Sequence, residues 1–168
     1  ANYTGVEQVH QGIEFDGLWR ISPLVNLEGM VTLGNYEYGS DVTDPNVTNN
    51  SGQSIGSATL YLDGEKVGTT AHTTARLNLT VNPSDKFKFN LSLFHADDIF
   101  GTVNTEDFQD PEDTTMQLPA YELFDFGASY KLSIGGEDIG LRLNINNIFD
   151  EEYYYCLLYT SDAADDSL

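Results

Sequence analysis

The chain has 168 residues, of which 27 are acidic and 7 are lysine or arginine, giving a formal net charge of −20. That balance excludes a nucleic-acid surface, which needs a basic footprint, and excludes docking on anionic lipid. The 10 tyrosines, 9 phenylalanines and single tryptophan exclude a disordered acidic tail, and the lone cysteine, Cys156, excludes an internal disulfide framework or a cysteine-based zinc site. The longest apolar runs fall short of the ~20 residues a membrane helix needs. Ala1-Asn2-Tyr3 opens without a methionine or a signal peptide, so the N-terminus reads as a cut.

Taken in order, residues 10–38 read as one long hairpin. Ile13, Phe15, Gly17, Trp19 and Ile21 alternate with Gly12, Glu14, Asp16, Leu18 and Arg20. Such a period of two places one set on each face of a strand. Ser22-Pro23 marks a tight turn, since proline cannot sit inside a ladder. Alternation resumes with Val25, Leu27, Gly29, Val31 and Leu33. From Gly39 to about Gly68 the chain is rich in Gly, Ser, Asn, Asp and Thr, which predicts a long loop. The Asp63-Gly64 pair within Tyr61–Gly68 predicts a small hairpin of its own there.

A second hairpin follows. Ala75, Leu77, Leu79 and Val81 alternate with Thr74, Arg76, Asn78 and Thr80. Asn82-Pro83-Ser84-Asp85 makes the turn, and Phe87, Phe89, Leu91 and Leu93 return. Asp97–Leu118 is predicted as a second long loop, with seven acids (Asp97, Asp98, Glu106, Asp107, Asp110, Glu112 and Asp113) and no lysine or arginine. The third hairpin sets Phe124, Phe126, Ala128, Tyr130 and Leu132 against Leu123, Asp125, Gly127, Ser129 and Lys131. It turns at Gly135-Gly136 and closes with Ile139, Leu141, Leu143 and Ile145 opposite Gly140, Arg142, Asn144 and Asn146.

Strand, tight turn, strand and long loop thus recur three times. That rhythm predicts an all-β antiparallel meander of about six long strands, as in outer-membrane barrels with short periplasmic turns and long extracellular loops. Apolar residues would face outer-membrane lipid and polar ones a lumen. Trp19 and Tyr130 toward the turns, and Tyr36, Tyr38, Phe94 and Tyr121 toward the loops, would form interface girdles. Six strands are too few to close a barrel, because the smallest natural ones have eight.

Three short motifs carry a family resemblance. Asn146, Asn147, Ile148, Phe149 and Asp150, with Tyr153 or Tyr154, resemble the Val-x-Asn-Leu-Phe-Asp-x-x-Tyr signature of the penultimate strand of TonB-dependent outer-membrane receptors. Gln11-Gly12-Ile13-Glu14 resembles their Arg-Gly-Val-Glu strand opening, and Leu118-Pro119-Ala120-Tyr121 their Leu-Pro-x-Tyr. The resemblance covers about residues 8–155. It implies an incomplete segment of a 22-stranded transmembrane barrel in a Gram-negative outer membrane, lying just before the last strand. It further implies an energy-coupled importer, with the plug domain and the contact to the TonB complex upstream and missing here. The fragment alone would then be inactive. The implied ligand is a ferric siderophore, with cobalamin and glycans behind it. Cys156–Asp166 instead resembles a translated sequencing-library adapter, so residues 156–168 are set apart from the fold and Cys156 is not a functional thiol.

No nucleophile motif, phosphate loop or metal-ligand spacing points to an enzyme. His10, His72 and His95 are spread one per hairpin and read as strand-end polar residues. The candidate ligand-binding site is the acid-rich loop with Asp97, Asp98, Asp107, Asp110, Glu112 and Asp113. No resident metal or cofactor is expected, although these acids could offer calcium several of its 6–8 oxygens; a solvated acidic surface is the plainer alternative. Glu14, Asp16, Arg20, Glu28, Arg76, Lys88, Arg142 and Asn144 would line the lumen wall where a plug packs. Two other classes stay open: a plug-less outer-membrane porin, and a soluble β-sandwich adhesin or lectin, whose apolar face would be covered by a second sheet.

Overall fold

Strict alternation favours extended strands because each can then turn one face to apolar surroundings and the other to water. The computed structural model describes residues 5–48, 51–103 and 108–154, and these form nine strands and no helix. Six are long: β1 (Gln8–Ser22), β2 (Val25–Tyr38), β5 (Ala71–Ser84), β6 (Phe87–Phe100), β8 (Tyr121–Ile134) and β9 (Glu137–Ile145). The short ones are β3 (Val42–Thr48), β4 (Ser54–Leu60) and β7 (Gln117–Leu118). The long strands pair antiparallel in the order β1-β2-β5-β6-β8-β9, with β7 added to β6 and β3–β4 as a separate hairpin. The sheet is open, with β1 and β9 as its edges. A strand of 14 residues spans roughly 46 Å, longer than the ~9–11 residues needed to cross a bilayer.

Register sorts the two faces. Trp19, Leu27, Leu79, Leu91, Phe126 and Ile145 form one unbroken apolar row across all six long strands. The next row, on the other face, is Leu18, Glu28, Asn78, Ser92 and Asp125. A slip of one residue anywhere would exchange the faces and break this apolar row, so the alternation itself specifies the register. Nothing covers that side among the described residues: Phe15 is 64 % exposed, Trp19 66 % and Leu141 55 %. A soluble sandwich would bury these side chains against a second sheet, and among the described residues no sheet lies against them.

The tight turns follow local chemistry. Gly135 and Gly136 both take positive φ, 62° and 89°, as a two-residue hairpin turn of mirror type requires. Leu24 N–H donates to the Ser22 hydroxyl in the first turn. The middle turn is Asp85-Lys86, slightly beyond the predicted place, because Asn82 to Ser84 stay in β5 across a register shift that accommodates Pro83.

Three expectations are corrected. The small hairpin of the first loop is β3–β4, not Tyr61–Gly68. Val42 and Leu60 supply buried anchors for it, and Gly52 and Gly56 take the positive φ its bends need. Tyr61–Gly68 does turn at Asp63-Gly64, but its return leg bonds to β2 through Tyr38 N–H to the Glu65 carbonyl (2.8 Å) and Val67 N–H to the Tyr36 carbonyl (2.9 Å). Second, β6 runs on to Phe100, past Asp97 and Asp98, because Ile99 keeps its pairing with Ala71 and is buried against Leu118. Third, Tyr36, Tyr38, Phe94 and Tyr121 are not on the apolar face. They pair with His10, Gln8, Arg76 and Ala96, all on the polar side. Trp19 and Tyr130 do lie on the apolar face, where Tyr130 stacks on Phe87 at 4.4 Å.

Apolar burial is concentrated at the loop end instead. One cluster joins Val42, Leu60, Leu62 and Phe108; the other joins Ala96, Ile99, Leu118 and Tyr121.

Candidate functional site

The loop end of the polar face carries a band of rings. His10 stacks on Tyr36 at 4.8 Å, Tyr36 meets His72 at 4.6 Å, and His72 meets Phe100 at 4.9 Å. His72 is 2 % exposed, and its Nε2 donates to the Val67 carbonyl at 2.9 Å, since a carbonyl can only accept. Further round, the Arg76 guanidinium lies 5.3 Å over the Phe94 ring, and Tyr153 stacks on Tyr121 at 4.4 Å. A cavity of about 190 Å³ opens here, lined by Thr69, Thr70, Thr74, Phe94, Tyr121 and Tyr154 among others. Above the last β2–β5 pair, Leu33 with Thr73, Lys66 reaches Asn35 and Glu37, both at 2.6 Å.

The acids singled out in the sequence fall into two places. Asp97 and Asp98 close β6: the Asp98 carboxylate accepts the Thr73 hydroxyl at 2.8 Å, and Asp97 accepts the Asp98 N–H at 2.7 Å. Asp98 takes φ 50°, a left-handed conformation that aspartate tolerates better than most residues. Asp110, Glu112 and Asp113 form a turn that caps itself, with Glu112 N–H donating to the Asp110 carboxylate and Asp110 N–H to that of Asp113. Asp107 and Glu106 lie outside the described residues, as does Cys156–Leu168. Among the described residues no group of three His, Cys, Asp or Glu could hold a metal ion.

The Asn146–Tyr154 motif ends the last strand. Asn147 takes φ 49°, and its N–H donates to the Asp125 carboxylate at 2.8 Å. Its side-chain amide then donates to the Glu151 carbonyl and accepts the Glu151 N–H, both at 2.9 Å. Ile148 N–H donates to the Phe124 carbonyl, and the Phe149 ring meets Phe124 edge-on at 5.0 Å. Asp150 completes the turn with φ 54°, and Tyr153 and Tyr154 come back over the ring band. Asn146 leads into the turn from the end of β9.

A family profile described as TonB dependent receptor-like, beta-barrel, matches residues 1–148. The chain belongs to that family. No curated protein and no solved structure matches it. TonB-dependent receptors are outer-membrane transporters of Gram-negative bacteria. The open sheet is then an incomplete stretch of a receptor barrel wall.

Sequence reasoning found the motif of this receptor segment but not the contacts that give it meaning. Parity alone would have put Tyr36 and Phe94 on the lumen side. The side-chain bonds of Lys66 and Glu65 join residues far apart in sequence, and no local spacing announces them. The Asn147 geometry makes a direct prediction. Asn147→Ala loses both side-chain bonds and places a β-carbon residue without a compensating amide at positive φ. The expected cost is about 1–3 kcal/mol, read as faster amide exchange at Ile148 and Glu151. Unchanged exchange at both would show that the motif does not hold this turn.

Proposed function

We propose that the chain is part of the wall and outer mouth of an importer that takes up a scarce nutrient such as a ferric siderophore, driven through the TonB complex. The observation that carries this is the family match over residues 1–148 on a sheet whose apolar face is left uncovered. In this reading the tight turns face the periplasm and the loops the outside. The plug and the TonB-contacting segment belong to the rest of the receptor. The rings and Arg76 at the loop end supply stacking surfaces for a small ligand. The acid-rich segment, Asp97, Asp98, Asp107, Asp110, Glu112 and Asp113, is the proposed outward contact, with calcium as the cation it would take. Its charge disfavours strongly anionic ligands unless such a cation intervenes.

The test is uptake by a strain that lacks its own receptors and expresses the intact protein. Labelled ferric siderophore should accumulate, and accumulation should fall to background when TonB is deleted or the proton gradient is collapsed. Uptake that persists without either would make the protein a diffusive pore.

A further inference from the structure

We infer that the lipid-contacting band of this chain crosses the hydrogen-bonded rows obliquely, and that the outer headgroup layer meets the sheet along a stepped line through Gln11, Asn35, Thr73, His95 and Glu122. This rests on the barrel-wall reading and adds where, strand by strand, the hydrocarbon ends. Register sets Phe15, Val31, Ala75, His95 and Glu122 in one row on the apolar face. Its first three members are apolar, whereas its last two pair with each other, His95 Nδ1 lying 3.5 Å from the Glu122 carboxylate. One row nearer the loops, Ile13 and Leu33 are still apolar but Thr73 and Asp97 are polar. A further row on, β1 and β2 also turn polar, at Gln11 and Asn35. The unbroken apolar run therefore ends at Ile13 on β1, Leu33 on β2, Ala75 on β5, Leu93 on β6 and Phe124 on β8. The lower edge falls the same way. It lies at Val25 on β2, Phe87 on β6 and Ile134 on β8, one, two and four rows below the row of Trp19 and Leu27.

Polar and charged side chains are costly in hydrocarbon, so the membrane's edge follows the edge of polarity rather than the rows. From β1 to β8 the upper edge drops two rows, about 14 Å, while the four strand-to-strand steps cover about 19 Å, which tilts the strands about 35° from the membrane normal. Strands of outer-membrane barrels tilt by ~35–45°. At that tilt the run from Val25 to Leu33 rises about 22 Å and that from Ile134 to Phe124 about 28 Å, on either side of the ~25 Å of a barrel's apolar band. Two edges that descend together enclose a flat slab, which is the shape of a bilayer core. Polar groups just past the upper edge are held among themselves: Lys66 on Asn35 and Glu37, and the Thr73 hydroxyl on Asp98.

Nitroxide depth measurements on the intact receptor, freed of its native cysteines and held in lipid vesicles, test this. The ratio of collisions with oxygen to collisions with a water-soluble nickel chelate should be about threefold or more higher at Phe15 and Val31 than at His95 and Glu122, although the four share a row. At the lower edge, Leu132 and Ile139 should keep the high ratio, although their row lies beyond the turn that joins β1 to β2. Either member of each pair is sufficient should the other fail to assemble. Equal ratios along the row from Phe15 to Glu122 would overturn the inference, because the band would then follow the rows. Labels at Leu79 and Leu91 separate the two ways of failing. If they favour oxygen while that row shows no contrast, only the oblique band is wrong; if they too favour the chelate, the barrel-wall reading falls with it.

Discussion

Leu77→Arg is expected to cost about 2–4 kcal/mol in barrel assembly, and Asn78→Arg close to nothing. Leu77 sits midway along β5, 44 % exposed on the apolar face, paired with Gly29 and Leu93. A guanidinium there would stand in hydrocarbon with no partner in reach, and the desolvation of the charge dominates every other term. Asn78 is one residue away and points to the lumen side, where it pairs with Glu28 and Ser92. Arginine at that position meets water and an acid. The comparison cancels helix, turn and propensity effects because the backbone is the same extended strand. Denaturant titration of the intact receptor in lipid vesicles measures both. Equal costs for the two variants would contradict the face assignment.

Phe108→Ala is expected to remove about 3–5 kcal/mol from the loop-end cluster, the usual cost of emptying a buried phenylalanine site. Phe108 is the second loop's contribution to a cluster otherwise built by Val42, Leu60 and Leu62, with Tyr38 and Val103 packed around it. The separate hairpin β3–β4 has only two strands, which is marginal alone, so this cluster is what keeps it folded. The loss should therefore appear as protease cleavage within residues 39–70 while the long strands stay resistant. Cleavage rates equal to the unaltered receptor would mean that the hairpin stands without Phe108.

The long strands were legible because one face is uniformly apolar, so a period of two survives over long stretches, as in Phe87–Leu93 of β6 and Phe124–Leu132 of β8. The Gly135-Gly136 turn was legible for a related reason: only glycine takes that geometry freely. What stayed hidden depends on contacts made across distance. Nothing local distinguishes Val42–Leu60, rich in Asn, Ser, Thr and Gly, from an open loop; its strands are stabilised by Phe108, far along the chain. Asp97 and Asp98 looked like the start of a loop because acids interrupted the apolar alternation, yet pairing continued through Ile99 to Phe100. Of the candidate site, the Asn147 motif was readable as a family pattern, but its work as a strand terminator bonded to Asp125 and Glu151 was not. The ring band from His10 to Tyr153 could have been assembled only once register placed its members side by side.

The central claim is that this sheet is barrel wall, with lipid on one side and lumen on the other. A nitroxide scan of β6 in the intact receptor, freed of its native cysteines and held in lipid, tests it most directly. Labels at Phe89, Leu91 and Leu93 should show high collision with oxygen, and those at Lys88, Asn90 and Ser92 high collision with a water-soluble nickel chelate. A two-residue alternation with opposite phase for the two reagents is the predicted result. Uniform accessibility to the chelate along the strand would contradict the account, because no face of the sheet would then lie in a membrane.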